Sequence, residues 1–279
     1  MFKKIFMSVV AVMLVVSTLF VCAFSAQAVT KNKTKKYDLV FLIDTSKSIE
    51  KNWQYVISSI RKQVKELEKN ETDYRVAFIE FRSTKTVVDY TYKTSDFMSD
   101  SETISKYLDT IKLSKSAYSS SCLFSALIDG TKKITFRHDA VRALFIFAVT
   151  PCSDPEPRSG YTYNRVRTAF SINTQNTLNC PYKFYTYNFG TDSSCEKYCQ
   201  LLASDTGGKY TSMPYSSTSD FDKKFDAALS KDMSTVMTLK VVEMKQSLIE
   251  RIEDMISSSD SKYKAVLKVF VILYKMMFR

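Results

Sequence analysis

The feature that most restricts the fold is a set of short apolar runs, too short for helices, placed between segments with helical spacing. Val40, Phe41, Leu42 and Ile43 inside "YDLVFLIDTSKSIE", and Ala143–Val149 ("ALFIFAV"), are β-branched and aromatic without polar alternation, as in strands buried on both faces. "YRVAFIEF" (Tyr74–Phe81) alternates as a strand, and "TVVDYTY" (Thr86–Tyr92) follows a short turn as the second arm of an antiparallel edge hairpin. "YKFYTYNF" (Tyr182–Phe189) is a further strand. Between them, "SIEKNWQYVISSIRKQVKELEKN" places Trp53, Val56, Ile57, Ile60, Val64 and Leu67 at the 3.6-residue period of an amphipathic helix. "SETISKYLDTI", "LFSALIDGTKKI", "YNRVRTAFSINTQN", "CEKYCQLLAS" and "FDKKFDAALSKDM" are further helices, and Gly207 and Gly208 in "DTGGKY" supply a left-handed helix end. The alternation predicts an α/β fold: a central, mainly parallel sheet with one antiparallel edge strand and helices on both faces. Ligands of such sheets bind at the carboxyl ends of the strands, where Asp44 lies.

The chain of 279 residues is 45% apolar, enough for one large domain over residues 37–235 with appendages at either end. Residues 1–28 have a basic start (Lys3, Lys4), an apolar body and the small-residue end Ala26-Gln27-Ala28, which reads as a secretory signal peptide cut after Ala28. An uncleaved anchor is the competing reading, because the apolar body reaches the lower limit of spanning length. Residues 29–36 are a basic linker. Residues 236–257 repeat Val241, Met244, Leu248, Ile252 and Met255 as an extra amphipathic helix or short coiled coil. Residues 258–279 are a linker and a basic apolar stretch whose uninterrupted part, Val269–Tyr274, is too short to span a bilayer. Membrane contact is therefore expected only through the two ends of the chain, and the expected location is secreted or cell surface.

Removal of residues 1–28 takes away two lysines and no acids, lowering the net charge from +11 to +9, so weak attraction to anionic surfaces is expected. No helix-turn-helix, zinc knuckle or aromatic-basic sheet motif points to nucleic acid. Cys22 leaves with the signal; Cys122, Cys152, Cys180, Cys195 and Cys199 remain as disulfide candidates or buried thiols, and an odd number leaves at least one unpaired within a chain. Cys195 and Cys199 share a helix face, but one histidine in the chain makes a zinc set hard to assemble.

Asp44, Ser46 and Ser48 place a carboxylate and two hydroxyls just past a buried strand. Such oxygens suit Mg²⁺ or Mn²⁺; the competing reading is that Asp44 and Ser48 only cap a helix starting near Ile49. Here the sequence resembles the von Willebrand factor type A family, whose metal-ion-dependent adhesion site opens with this Asp-x-Ser-x-Ser pattern. The resemblance spans roughly Lys36 to Met233 and rests on "FLIDTSKSI", "YRVAFIEF", "SCLFSALIDG" and "LASDTGGKY". It implies a Rossmann-like fold and a function in adhesion or protein–protein interaction, with one divalent cation bridging to an acidic side chain of a partner.

Two departures accompany it. The family's metal-reaching threonine aligns with Ser121, preceded by Ser119 and Ser120 where glycines are usual. Where the family reads Thr-Asp-Gly, this chain reads Thr150-Pro151-Cys152-Ser153-Asp154, so the ligand is missing in register and Asp154 is the nearest substitute. The resemblance places Cys122 and Cys152 in these two loops, facing one another, and makes a disulfide between them an attractive pairing. The expected metal set is Asp44, Ser46, Ser48, Ser121 and Asp154, with weak affinity. The alternative function is a metal-free structural or assembly scaffold that interacts through helices. An enzyme is not expected: His138 stands alone, no serine lies in a nucleophile elbow, and no glycine-rich phosphate loop exists, which leaves a hydrolase as the least favoured reading.

Overall fold

The architecture is built outward from one strand. A computed structural model describes residues 35–83, 92–172, 177, 180–214 and 220–240. Strand β1 (Lys36–Asp44) lies between β2 (Asp73–Phe81) and β4 (Ala140–Ala148), parallel to both. β5 (Tyr182–Asn188) and β6 (Lys209–Ser212) extend the parallel side beyond β4, and β3 (Tyr92–Thr94) closes the other edge antiparallel to β2. The order among the described strands is β3-β2-β1-β4-β5-β6, the mainly parallel sheet with one antiparallel edge that the alternation predicts. Residues 84–91, and with them all of the expected Thr86–Tyr92 hairpin arm except Tyr92, lie outside the described residues, as do residues 1–34 and 241–279.

Because β1 is covered on both sides, its side chains divide by parity. Leu39, Phe41 and Ile43 join one core with α1 (Trp53–Lys69), α2 (Ser101–Thr110) and α6 (Phe221–Thr238). Val40 and Leu42 join the other, with α3 (Leu123–Ser125) and the π-helical turn that continues it (Ala126–Gly130), α4 (Tyr163–Ala169) and α5 (Ser193–Thr206). The helical period seen in the sequence maps onto burial: Val56, Ile57, Ile60, Val64 and Leu67 all face the sheet. Among the described residues no helix is long and apolar enough to cross a membrane.

Parallel registration aligns aromatic rings across four strands. Phe78, Phe41, Phe145 and Tyr185 are cross-strand neighbours, with successive ring centroids 5.7, 5.2 and 5.2 Å apart in stacked geometry. Offset ring stacking of this kind contributes beyond the area it buries. At the amino ends of the strands, fully buried Asp38 accepts from Arg75 Nε (3.0 Å) and Nη2 (2.7 Å), from Arg137 Nε (2.8 Å) and from the Arg137 backbone N–H (2.6 Å). At the far side, Gly207 ends α5 with φ +67°, and a Cβ on Gly208 would come within 1.9 Å of the Phe184 carbonyl oxygen, so that the chain can enter β6 only through glycine.

Phe41→Ala removes the ring at the centre of the stack and leaves a cavity between β2 and β4. The expected loss is about 3–5 kcal/mol of unfolding free energy, read as a lowered urea midpoint with an unchanged slope.

Candidate functional site

The carboxyl ends of β1 and β4 converge on Asp44. Its carboxylate is fully buried and is held by three backbone N–H groups: Ser46 donates to Oδ1 (2.9 Å), while Val149 (3.3 Å) and Thr150 (2.9 Å) donate to Oδ2. A buried carboxylate requires such partners, and bonds to an ionised acceptor are stronger than neutral ones. Asp44 thus joins the turn after β1 to the end of β4. Ser46 Oγ and Thr150 Oγ1 are 2.9 Å apart and buried. Thr45 N–H donates to the Phe81 carbonyl (2.8 Å), Arg82 Nε donates to Thr45 Oγ1 (3.0 Å), and Ser114 N–H donates to the Thr45 carbonyl (2.8 Å), so two segments, the end of β2 and the loop after α2, brace the turn. Ser48 sits in a short 3-10 turn (Lys47–Ile49) and is exposed at the rim.

The helix that follows begins later than the sequence suggests, at Trp53, with Asn52 before it, and neither Asp44 nor Ser48 caps it. Asp44 therefore does not have the cap role that its position also allowed.

The other expected ligands are occupied elsewhere. Ser121 N–H donates to the Pro151 carbonyl (2.8 Å), and Ser121 Oγ lies 3.4 Å from Cys152 Sγ. Ser120 Oγ lies 3.0 Å from Ser153 Oγ. The two substituted loops do face each other, as the resemblance implies, and they are joined by hydrogen bonds. Ser119, Ser120 and Ser121 all keep negative φ, so the missing glycines are not needed for a left-handed backbone here. Asp154 is exposed and accepts from Tyr163 N–H (3.3 Å) and Tyr198 Oη (3.1 Å), which commits it to α4 and α5.

None of the five described cysteines is in a disulfide, and all five are buried. The expected Cys122–Cys152 bond is not formed: the Cys152 thiol instead meets Ser121 Oγ at 3.4 Å and the Thr150 carbonyl oxygen at 3.9 Å. The neighbouring Cys195 thiol, and then burial, push the Cys152 thiol well up. Cys122 and Cys180 are pushed up by burial. Cys180 lies at the entry to β5.

Two residues that sequence reasoning did not single out complete the site. Thr150 adds a hydroxyl to the Asp44–Ser46 cluster; the signal was its place at the end of a buried strand parallel to β1. Glu156, 1% exposed, accepts from Ser125 N–H (2.9 Å) and from Ser125 Oγ, fastening the loop after β4 to the end of α3. Burial raises its pKa. Nothing in its local sequence, "SDPEPRSG", marks it as buried. His138 is exposed just before β4, at the amino end of a strand whose carboxyl end meets Asp44.

Asp44, Ser46, Ser48 and Thr150 are oxygen donors only, the chemistry of a hard cation that keeps much of its water. Their position on one turn and the adjoining strand end fits such an ion, although only one of them carries charge. Among the described residues no group of three or more His, Cys, Asp or Glu side chains is placed to hold a metal ion.

The family model for the von Willebrand factor type A domain matches residues 38–142. No curated protein matches. Similar solved structures include BatB, a conserved hypothetical protein from Bacteroides thetaiotaomicron, at 17% identity and TM-score 0.46, covering 71% of this chain and 99% of that one. They also include the pilus adhesin SpaC from Lactobacillus rhamnosus GG, at 13% identity and TM-score 0.51, covering 72% of this chain and 31% of SpaC. The match thus spans about a third of the adhesin, and at this identity it concerns the fold.

Glu156→Gln provides a test of the buried carboxylate. Because the folded pKa is raised above the ordinary value of 4.5, the native state gains stability below that value and loses it as pH rises through the folded pKa. The glutamine variant should be at least as stable as the parent at pH 7, with a thermal midpoint that falls less steeply than the parent's as pH rises above 4.5. An equally steep profile in both proteins would show that Glu156 is not the group responsible.

Proposed function

We propose that this chain, whose residues 38–142 match the family model of the von Willebrand factor type A domain, is an exported protein-interaction module whose partner docks at the carboxyl ends of β1 and β4. The single observation that carries the reading is the oxygen cluster of Asp44, Ser46 and Thr150 at that edge, with exposed Ser48 on its rim. Open α/β sheets bind ligands at this end, because the loops there are free to diverge while the strands fix their origins.

Mg²⁺ or Mn²⁺ would be held by Asp44, Ser46, Ser48 and Thr150. When bound, such an ion supplies a positive centre that a partner's carboxylate can complete. The residues do the positioning. Asp44 contributes the one negative charge and is oriented by three amides, Ser46 and Thr150 align their hydroxyls through one another, and Ser48 presents its hydroxyl to solvent. With one charged ligand the affinity is low, about 0.1–1 mM by comparison with other extracellular oxygen sites. The remaining charge on the ion favours an acidic partner. Export fits the leader-like residues 1–28, and the adhesin SpaC shares the fold.

A second reading has its own observation. Both oxygens of Asp44 already receive amide hydrogens, so the turn is held together without an ion, and a metal-free scaffold that binds through its helices would need nothing more. The helix expected to favour that reading, 236–257, lies outside the described residues beyond 240.

Calorimetric titration of the full chain with Mg²⁺ and Mn²⁺ after EDTA stripping separates the two. Ser48→Ala is the informative variant because Ser48 is exposed; Asp44→Ala would strand three buried N–H groups at about 1–3 kcal/mol each and confuse binding with unfolding. Saturable binding weakened roughly tenfold or more in Ser48→Ala supports the cation-dependent module. No heat up to 10 mM, about tenfold above the weaker end of that range, supports the metal-free scaffold instead.

A further inference from the structure

The turn that carries Ser48 is basic, and so is the loop bonded to it. Segments 45–51 and 112–121 hold Lys47, Lys51, Lys112 and Lys115 against a single acid, Glu50, and all five are exposed. Glu50 and Lys51 are neighbours of opposite charge, which leaves Lys47, Lys112 and Lys115 as the surplus. Among the described residues none of these three is in an ion pair. The loop after β4 has no such surplus, since it sets exposed Arg158 against exposed Asp154 and buried Glu156.

The backbone that bears these lysines is fixed. Lys47 N–H donates to the Ser116 carbonyl (3.1 Å), so Lys47 and Lys115 stand beside one hydrogen bond between the two segments. Ser114 N–H donates to the Thr45 carbonyl (2.8 Å) next to it. Arg82, 7% exposed, holds both segments: its Nη2 donates to the Lys112 carbonyl (2.5 Å) and its Nε to Thr45 Oγ1 (3.0 Å). Within the loop, Ser114 Oγ lies 2.6 Å from Tyr118 Oη. The charges therefore start from set positions beside Ser48, and little backbone has to be ordered when a partner arrives.

We propose that Lys47, Lys112 and Lys115 form a docking strip for an acidic segment of a partner protein, one carrying several carboxylates, and that the strip draws it to the Ser48 rim with or without a cation. Its place on the docking edge rests on the function proposed above. Like charges gathered at set positions repel one another, and an anionic partner turns that repulsion into attraction. The chemistry favours carboxylates over a phosphate chain. Planar, two-pronged phosphate recognition uses arginine, whereas lysine is a compact point charge, and neither segment contains an arginine. Two short segments also offer too few charges for the long phosphate track on which polyanion binders depend.

The test is fluorescence anisotropy of a short labelled peptide alternating glutamate and serine, titrated with the full chain in EDTA. Saturable binding is expected, weakening roughly tenfold as salt rises from about 0.02 to 0.2 M. Lys47→Glu combined with Lys115→Glu should weaken it at least about tenfold. Lys65→Glu combined with Lys69→Glu, exposed positions on α1, changes the net charge equally and should leave it within about twofold. If the reversed rim lowers the thermal midpoint, Lys47→Ala with Lys115→Ala replaces it, with a loss of roughly threefold expected. No binding in EDTA, an equal loss in the rim and helix variants, or tighter binding of a heparin oligosaccharide than of the peptide would each overturn the proposal. Because EDTA is present throughout, failure of the cation site leaves this result standing. Saturable Mg²⁺ binding without peptide binding removes the lysine strip alone.

Discussion

A carboxylate placed where water cannot reach it must be held by the protein, and Asp44 shows how much structure that requirement organises. Three amides from two segments converge on it, one from the turn after β1 and two from the end of β4. Because those segments are far apart in sequence, the bonds exist only when the strands are in register. The carboxylate therefore ties the geometry of the loop edge to the pairing of β1 with β4, and any ligand held by this edge is held by the central strands as well.

The loops around it have been rewritten relative to the family resemblance, and the rewriting is internally coherent. Proline at 151 removes a side-chain ligand but leaves a carbonyl, which receives the Ser121 N–H. Serines at 120 and 153 meet each other, Cys152 fills the space beside Ser121, and Glu156 secures the far end of the loop on α3. The result is an edge of hydroxyls around the buried Asp44 carboxylate, without the second carboxylate that the family pattern places in register with Pro151. That is a low-charge edge with a rigid base.

Much of the fold was legible because it depends on periodicity. The unbroken run at Val40–Ile43 means a strand covered on both sides, and the 3.6-residue spacing from Val56 to Leu67 means a helix with one buried face; both are patterns of burial, and burial is what the sheet imposes. The start of that helix was not legible, because Ser48 and Asp44 are good caps in isolation and only the amides of Val149 and Thr150, over a hundred residues away, draw Asp44 off. The site was half legible for the same reason. Asp44, Ser46 and Ser48 are local in sequence, whereas the partner of Ser46 is Thr150 and that of Glu156 is Ser125, and no local pattern encodes such pairs. The cysteines were the least legible, since proximity of loops names candidates but only side-chain direction decides which sulfur faces which.

The opposite end of the sheet carries the counterpart of all this. Asp38, buried, is clasped by two arginines that reach it from β2 and from the segment before β4, and Arg137 also donates to the Tyr37 carbonyl. Removing one partner from such a cluster is far more damaging than altering an exposed loop. The three central strands are thus anchored at their origins independently of what happens at their tips. In evolutionary terms the molecule separates the part that must stay from the part that can drift: mutations that redraw the loop edge meet a scaffold already committed, so these loops can change without first losing the fold.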